Sequence, residues 1–344
     1  LARCQARLFF ERKLEHENPM DLMLATLLSP MVLFFVLGLS AALLRSQMTI
    51  PEAFAKGLAI YLMMAIGLKG GVEMSKSDFS FQVWAVLAAG IVLSFCLPVI
   101  AFAFLRRTSK MDRIDAAATA AHYGSISIVT FVAATQFIKS AGLESSGYMV
   151  AVAALMEAPA IITALILAQR GQKKAPSVAG SESGELYREV LLNASIVVLV
   201  GALAIGWVTG ESGMERIAPF FVDPFQGVLC LFLLDMGLSA GRGLRQGWRQ
   251  LDFSAVAFGL YMPLVSATLG GAIAWSLGIP AGDTALLMVL AASASYIAVP
   301  AAMRLAMPKA KPSIYLTLSL GVTFPFNLAV GIPLYLYFAN LIQG

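Results

Sequence analysis

The chain has 344 residues, 59% of them hydrophobic and 13% charged, with 24 basic against 20 acidic side chains and a mean hydropathy of +0.80. A soluble domain carries roughly 25% charged and about 45–50% apolar residues, so this composition argues against a water-soluble enzyme and for a polytopic membrane protein. At about 20 residues per span, ten helices take on the order of 200 residues, and what remains suffices only for loops and termini.

Residues 1–19 begin at Leu1 and carry Arg3, Arg7, Arg12 and Lys13 beside three glutamates, without the apolar run of a signal peptide. They are expected to be a non-native or disordered extension preceding a start at Met20, the alternative being a short amphipathic arm on the membrane surface. Apolar runs between charges and turn signals then predict spans near 27–44, 54–68, 81–105, 114–138, 146–168, 190–209, 221–240, 253–277, 282–306 and 313–339. The polar, Gly/Ser/Pro-bearing stretch 169–189 reads as a flexible linker between a first five-span unit, 20–168, and a second, 190–344.

With ten spans, the loops on one side hold 16 basic residues, among them Arg106, Arg107, Lys173, Arg242 and Lys309. The other side has Lys69, Lys76, Lys139 and Arg216. The positive-inside rule makes the first side cytoplasmic and places both termini outside a plasma (inner) membrane.

The two units repeat. Gly57, Gly67 and Gly71 of the second span match Gly227, Gly237 and Gly241 of the seventh, each 170 residues apart. Asp115, Ser125 and Ser127 match Asp283, Ser293 and Ser295 at a separation of 168, and Pro159 matches Pro325 at 166. An odd number of spans per unit inserts the second copy from the opposite side, so the fold class expected is all-α, with ten transmembrane helices in two inverted five-helix repeats.

The fourth span holds Gly124, Ser125, Ser127 and Thr130, and the ninth holds Ser293, Ser295, Tyr296 and then Pro300. Glycine loosens a helix and proline removes a backbone donor, so both spans are expected to break. A break in hydrocarbon leaves backbone groups unpaired at several kcal/mol each, so it must line a cavity or bind something. Helix N-termini, each worth roughly +0.5 charge, suit an anion there, and hydroxyls with freed carbonyls suit a sodium ion. The expected substrate-binding residues are Gly124, Ser125, Ser127, Ser293, Ser295 and Tyr296; the expected ion-binding residues are Ser127, Thr130, Glu157 and Ser295. Against this stands the plainer reading that small residues and serines permit close helix packing or bond to the preceding turn.

Among intramembrane acids, Glu157, just before Pro159, is the preferred ion coordinator, with Asp235 ranked below it because Ala65 occupies its place in the first unit. Asp115 and Asp283 read as caps or first-turn charges. Lys69 reads either as an anion attractor in an outer vestibule or as a snorkelling residue at a helix end. His122 reads as a packed side chain rather than a proton relay. Cys4, Cys96 and Cys230 have no redox or zinc spacing, and His16 and His122 are too few for an imidazole metal site. Sodium as coupling ion is the sole cofactor expected. Enzyme chemistry has little support, since a Ser125/His122 pairing lacks an orienting acid.

These residues resemble the sodium-dependent bicarbonate transporter family first associated with cyanobacteria. The likeness rests on IGLKGG at 66–71, DAAAT at 115–119 leading to Gly124, Ser127 and Thr130, MEAPA at 156–160, AASASYIAVPAAMR at 291–304 and KPSIY at 311–315. It implies a gate part and a core part, a homotrimer, sodium-coupled bicarbonate uptake, and a site at the broken fourth and ninth helices that includes Ser127, Thr130, Ser293 and Ser295. The family's PII-like cytoplasmic regulator is a further implied partner. The chain departs from the cyanobacterial pattern at Tyr296, where that pattern has an acid, and at 127–130, where it has a Ser-Gly-Ser-Thr run; both bear on the anion and on sodium stoichiometry. A cation/proton antiporter, or a carrier of another small carboxylate anion, is the alternative function.

Overall fold

Apolar segments bounded by capping residues become helices throughout, and among the described residues there is no strand. The computed structural model describes residues 28–76, 80–169, 194–297, 299–300, 302–303 and 307–343. The expectations for 1–19, the start at Met20 and linker residues 170–189 lie outside them. The helices are α1 (Pro30–Leu43), α2 (Glu52–Ser75), α3 (Phe81–Thr108), α4 (Arg113–Gly124), α5 (Ile128–Ser140), α6 (Tyr148–Leu155), α7 (Pro159–Gln169), α8 (Ala194–Phe221), α9 (Phe225–Gly247), α10 (Phe253–Leu277), α11 (Ala281–Ala292) and α12 (Pro312–Gln343). With α4–α5 and α6–α7 each taken as one interrupted rod, eight rods among the described residues are long and apolar enough to cross a membrane; α1 and α11 are shorter apolar helices. The chain is a multi-pass membrane protein.

Several boundaries move from their sequence-based places. The second span was expected to end at 68, but α2 continues to Ser75, because Gly70 and Gly71 lie against neighbouring helices instead of terminating their own. Lys69 therefore stands inside a helix, not at its end. The sixth span runs past 209 to Phe221, bent at Gly210 (φ 59°), a conformation that glycine adopts without steric cost. The fifth span is interrupted at 156–158 between α6 and α7, with Pro159 as the first residue of the new helix. The tenth contains two π-helical stretches, Thr317–Thr323 and Asn327–Gly331, flanking Pro325.

The helices sort into two groups. In the first, α2 packs along α8 and α9 along α1. Their contact lines are made of glycines. A Cβ on Gly71 would lie 2.0 Å from the Leu203 carbonyl oxygen, and one on Gly237 would lie 2.1 Å from that of Phe35. Gly67 and Gly241 sit at the same crossings, and Gly38 and Gly206 approach α9 and α2 from the opposite side. Without a hydrophobic driving force between helices in lipid, such backbone approach gains dispersion contacts instead.

The second group surrounds α4 and α5, which are enclosed along most of their length, with Lys139 and Ser140 exposed at the end of α5. Here α3 packs on α4 and α7, and α10 on α11, which also meets α12. Prolines inside α3 and α10, Pro98 and Pro263, stand 165 residues apart. Pro263 cannot bond the carbonyl four residues back, that of Gly259, and the Thr323 hydroxyl takes it instead at 2.7 Å. Because Thr323 spends its proton there, Tyr123 must be the donor in the 2.6 Å bond between their hydroxyls.

Asp115 and Asp283 are buried at the starts of α4 and α11, but they cap other helices, not their own. Asp283 accepts from the Ser146 amide (2.6 Å), the Ser146 hydroxyl (2.6 Å) and the Tyr148 hydroxyl (2.8 Å) at the entry to α6. Asp115 accepts from the Lys311 amide (2.8 Å) and pairs with its ammonium (3.3 Å) at the entry to α12. Each carboxylate thus fastens a helix start that lies in the other half of the chain.

The glycine contacts give a matched test. Gly71→Ala and Gly237→Ala are each expected to destabilise the protein by about 1–3 kcal/mol through overpacking. Gly57→Ala and Gly227→Ala, with open space around both positions, should be neutral or stabilising by up to about 1 kcal/mol. Thermal unfolding in detergent of the four variants checks the contrast.

Candidate functional site

Helix α4 ends at Gly124, residues 125–127 run extended, and α5 begins at Ile128. Ser127 is the N-cap of α5: its hydroxyl accepts from the Thr130 amide at 3.2 Å. Helix α11 ends at Ala292, after which Ser293 is extended and helical backbone resumes only at Val299. The two interruptions expected from the sequence are therefore present, and they meet. The Ser295 amide donates to the His122 carbonyl (2.8 Å), the His122 Nδ1 donates to the Ser295 carbonyl, and the Ser127 amide donates to the Ser293 hydroxyl (3.0 Å).

A carbonyl only accepts, so the His122 imidazole carries its proton on Nδ1 and is held as one tautomer. Its ring stacks on Tyr315 at 4.6 Å between centroids, and its Nε2 is buried without a hydrogen-bond partner among the described residues. His122 is the packed residue expected, and it also ties the two breaks together.

Most of the backbone exposed by the breaks is satisfied by short side chains. Ser125 donates to the Glu157 carbonyl (3.0 Å), Ser94 to that of Met156 (2.6 Å), and Asn327 to that of Ala292 (2.9 Å), with Tyr335 donating to the Asn327 side-chain oxygen (3.0 Å). Ser293 donates to the Leu290 carbonyl (2.9 Å) while accepting from Ser127. Sequence reasoning missed Ser94, Thr323 and Asn327. The signal available for Asn327 was an uncharged amide alone in an apolar span, two residues after Pro325.

A cavity of about 10 Å³ lies at the crossing, lined by Ile126, Ser127, Ile128, Glu157, Ser295, Tyr296 and Ile297. That is room for about one water molecule. Four of the expected site residues, Ser127, Glu157, Ser295 and Tyr296, are thereby brought together. Gly124, Ser125, Thr130 and Ser293 stand behind this wall. A Cβ on Gly124 would lie 2.2 Å from Pro98 Cγ, so its smallness serves the packing of α4 on α3.

The lining is rich in unused oxygen atoms. Among the described residues the Ser295 hydroxyl and the Glu157 carboxylate make no hydrogen bond or ion pair. The Tyr296 hydroxyl, close to Ser127, is buried without a hydrogen bond of normal geometry. The Ser127 hydroxyl, which accepts from the Thr130 amide, lies beside that of Tyr296. The N-terminus of α5, with its first amides free of helical partners, opens at the same point and favours negative charge. The arrangement can offer hydroxyl and amide donors to an oxyanion, and a carboxylate with hydroxyl oxygens to a hard monovalent cation.

Interrupted helical rods that cross inside a bundle and leave polar atoms around a small buried cavity define a membrane protein of the transporter class. The sequence profile of the Na+-dependent bicarbonate transporter superfamily matches residues 30–340. The chain belongs to this superfamily. No individual curated protein matches it.

The Ser293 and Ser295 hydroxyls give a matched contrast, since among the described residues Ser293 is committed to backbone partners and Ser295 is not. Ser293→Ala would strand the Ser127 amide and is expected to cost about 1–3 kcal/mol in thermal stability. Ser295→Ala should leave stability within about 0.5 kcal/mol of the parent while lowering transport. Paired melting and uptake measurements on the two variants check this division.

Proposed function

We propose that the protein takes up bicarbonate together with sodium by alternating access, with substrate and ion held where the breaks of α4–α5 and α11 cross. The observation that carries this reading is the convergence of Ser127, Glu157, Ser295 and Tyr296, with oxygen atoms left unused, on one cavity in a member of a sodium-dependent bicarbonate transporter superfamily. The anion takes the α5 N-terminus and the hydroxyl donors. Sodium takes the Glu157 carboxylate with the Ser127 and Ser295 oxygens. Both ions need several donors, and about 10 Å³ is too small for them, so loading requires the crossing to open.

The alternation follows from an inverted-repeat arrangement of two five-helix units. Support for it comes from the paired glycines at matching crossings, the paired prolines of α3 and α10, and the reciprocal capping by Asp115 and Asp283. In this reading the group α1, α2, α8 and α9 forms one body and the remaining helices the other, and rocking between them exposes the crossing to each side in turn. The basic loops lie at the cytoplasmic face of the inner membrane and both termini face outward. A homotrimer and a PII-like regulator rest on the family resemblance alone.

A second reading, cation/proton antiport, is favoured by one observation: Glu157 is a buried carboxylate without a partner among the described residues, lining the same cavity. One experiment separates the two. Proteoliposomes with an inward sodium gradient should accumulate labelled bicarbonate, uptake should vanish without sodium, and Glu157→Gln should reduce it at least tenfold. If bicarbonate is without effect and Glu157→Gln instead abolishes a sodium/proton exchange signal, the antiport reading replaces the symport one.

A further inference from the structure

A second cavity lies apart from the crossing. It has a volume of about 560 Å³ and opens between α2 with the α8–α9 turn on one side and α5, the 141–147 segment and α11 on the other. Ala65, Phe131 and Leu286 are among the apolar residues that line it. Phe131 follows Thr130 directly and stands one helical turn from Ser127, about 6 Å along α5. The cavity thus comes within about one helical turn of the crossing along α5, and we call it the vestibule.

Two lysines line it, Lys69 from α2 and Lys139 from the last turn of α5. Neither has an ion-pair partner within 4 Å among the described residues; the Lys139 ammonium repels that of Lys69, and Glu73 offsets this in part. The acids that share the cavity are engaged or peripheral. Glu73, one turn from Lys69 toward the rim, lies 3.8 Å from Lys76, whose closer partner is Glu211 at 2.6 Å. Glu144 and Asp223 are exposed, on the 141–147 segment and in the turn between α8 and α9.

We propose that Lys69 and Lys139 form an anion subsite in this vestibule, which collects a small monovalent oxyanion of the bicarbonate class before it reaches the crossing. An anion between the two ammonium groups removes their repulsion. One lysine belongs to the group of α1, α2, α8 and α9 and the other to the group around α4 and α5, so the bound anion bridges the cleft and draws its walls together. The subsite deepens the transport reading and rests on it for the identity of the anion.

The test uses the full chain in proteoliposomes and in detergent. Lys69→Gln and Lys139→Gln, alone and together, are assayed for initial bicarbonate uptake. The apparent KM for bicarbonate should rise about tenfold in the double variant, the lower end of what a charged cleft adds to substrate capture. The sodium half-saturation point and the maximal rate should be unchanged, and Lys69→Arg with Lys139→Arg should restore the parental KM. In parallel, acylation of Lys69 and Lys139 by an amine reagent, read by mass spectrometry, should be slowed by sodium bicarbonate relative to sodium gluconate of equal ionic strength. An unchanged KM in the double glutamine variant, or no protection of either lysine, overturns the subsite while leaving uptake itself intact. Protection without any uptake by the parent protein sustains the subsite and sinks the transport reading instead.

Discussion

A carbonyl or amide without a partner in hydrocarbon costs several kcal/mol, and this constraint governs each irregular point of the chain. The α6–α7 interruption releases the carbonyls of Met156 and Glu157, which Ser94 and Ser125 take up. Pro263 frees the Gly259 carbonyl, and Thr323 answers it. The end of α11 frees that of Ala292, and Asn327 reaches it from a π-helical stretch whose altered register turns the amide inward. At the crossing the two extended segments satisfy each other. Subtracting these commitments leaves few buried polar atoms unspent, and the Glu157 carboxylate with the Ser295 and Tyr296 hydroxyls share one wall. Polar groups with no structural partner in a site that cannot be solvated from lipid are the ones available to a ligand.

The same accounting explains which features were legible from the amino-acid order. Ser125, Ser127, Ser293 and Ser295 stood out because hydroxyls repeat at one separation in otherwise apolar spans, and the breaks they mark are real. Gly67, Gly71, Gly237 and Gly241 could be paired for the same reason, although their role as points of backbone contact needed the neighbouring helices. The interruption at 156–158 was missed even though Pro159 carries the mark of a helix start, because a continuous apolar run outweighed a single residue. Thr323 and Asn327 were missed on different grounds. Each answers a vacancy on another helix, and periodicity within one span holds no record of what a distant helix lacks.

Lys69 shows how a local rule yields to packing. Two glycines after a lysine read as the close of a helix, which would let the side chain snorkel to the interface. Gly70 and Gly71 instead let α2 lie directly on α6 and α8, the helix continues, and the lysine is carried to the wall of a cavity. The glycines that seemed to end the span are what allow it to go on.

The reciprocal caps constrain where the protein can move under the proposed cycle. Asp115 joins α4 to α12 and Asp283 joins α11 to α6, so the rods that form the crossing are held to the last spans of both halves by buried carboxylates. Separating either pair would strand a desolvated charge. The bare-backbone contacts of α2 on α8 and of α9 on α1 bind the other group as tightly. Relative motion is then left to the seam between the two groups, which the vestibule already opens. Gly70 and Gly147 meet on that seam, where a Cβ on either would collide with the other helix: on Gly70 with Val150, on Gly147 with the Gly70 carbonyl oxygen at 2.4 Å. The side chains of Val150 and Glu73 close over the two glycines, so α2 and the start of α6 touch here through backbone and short side-chain stems together. A second close contact between the groups lies where Gly243 and Gly247 of α9 meet Thr317 of α12, whose hydroxyl donates to the Gly243 carbonyl at 3.1 Å, so under the proposed cycle both glycine contacts must adjust when the groups move.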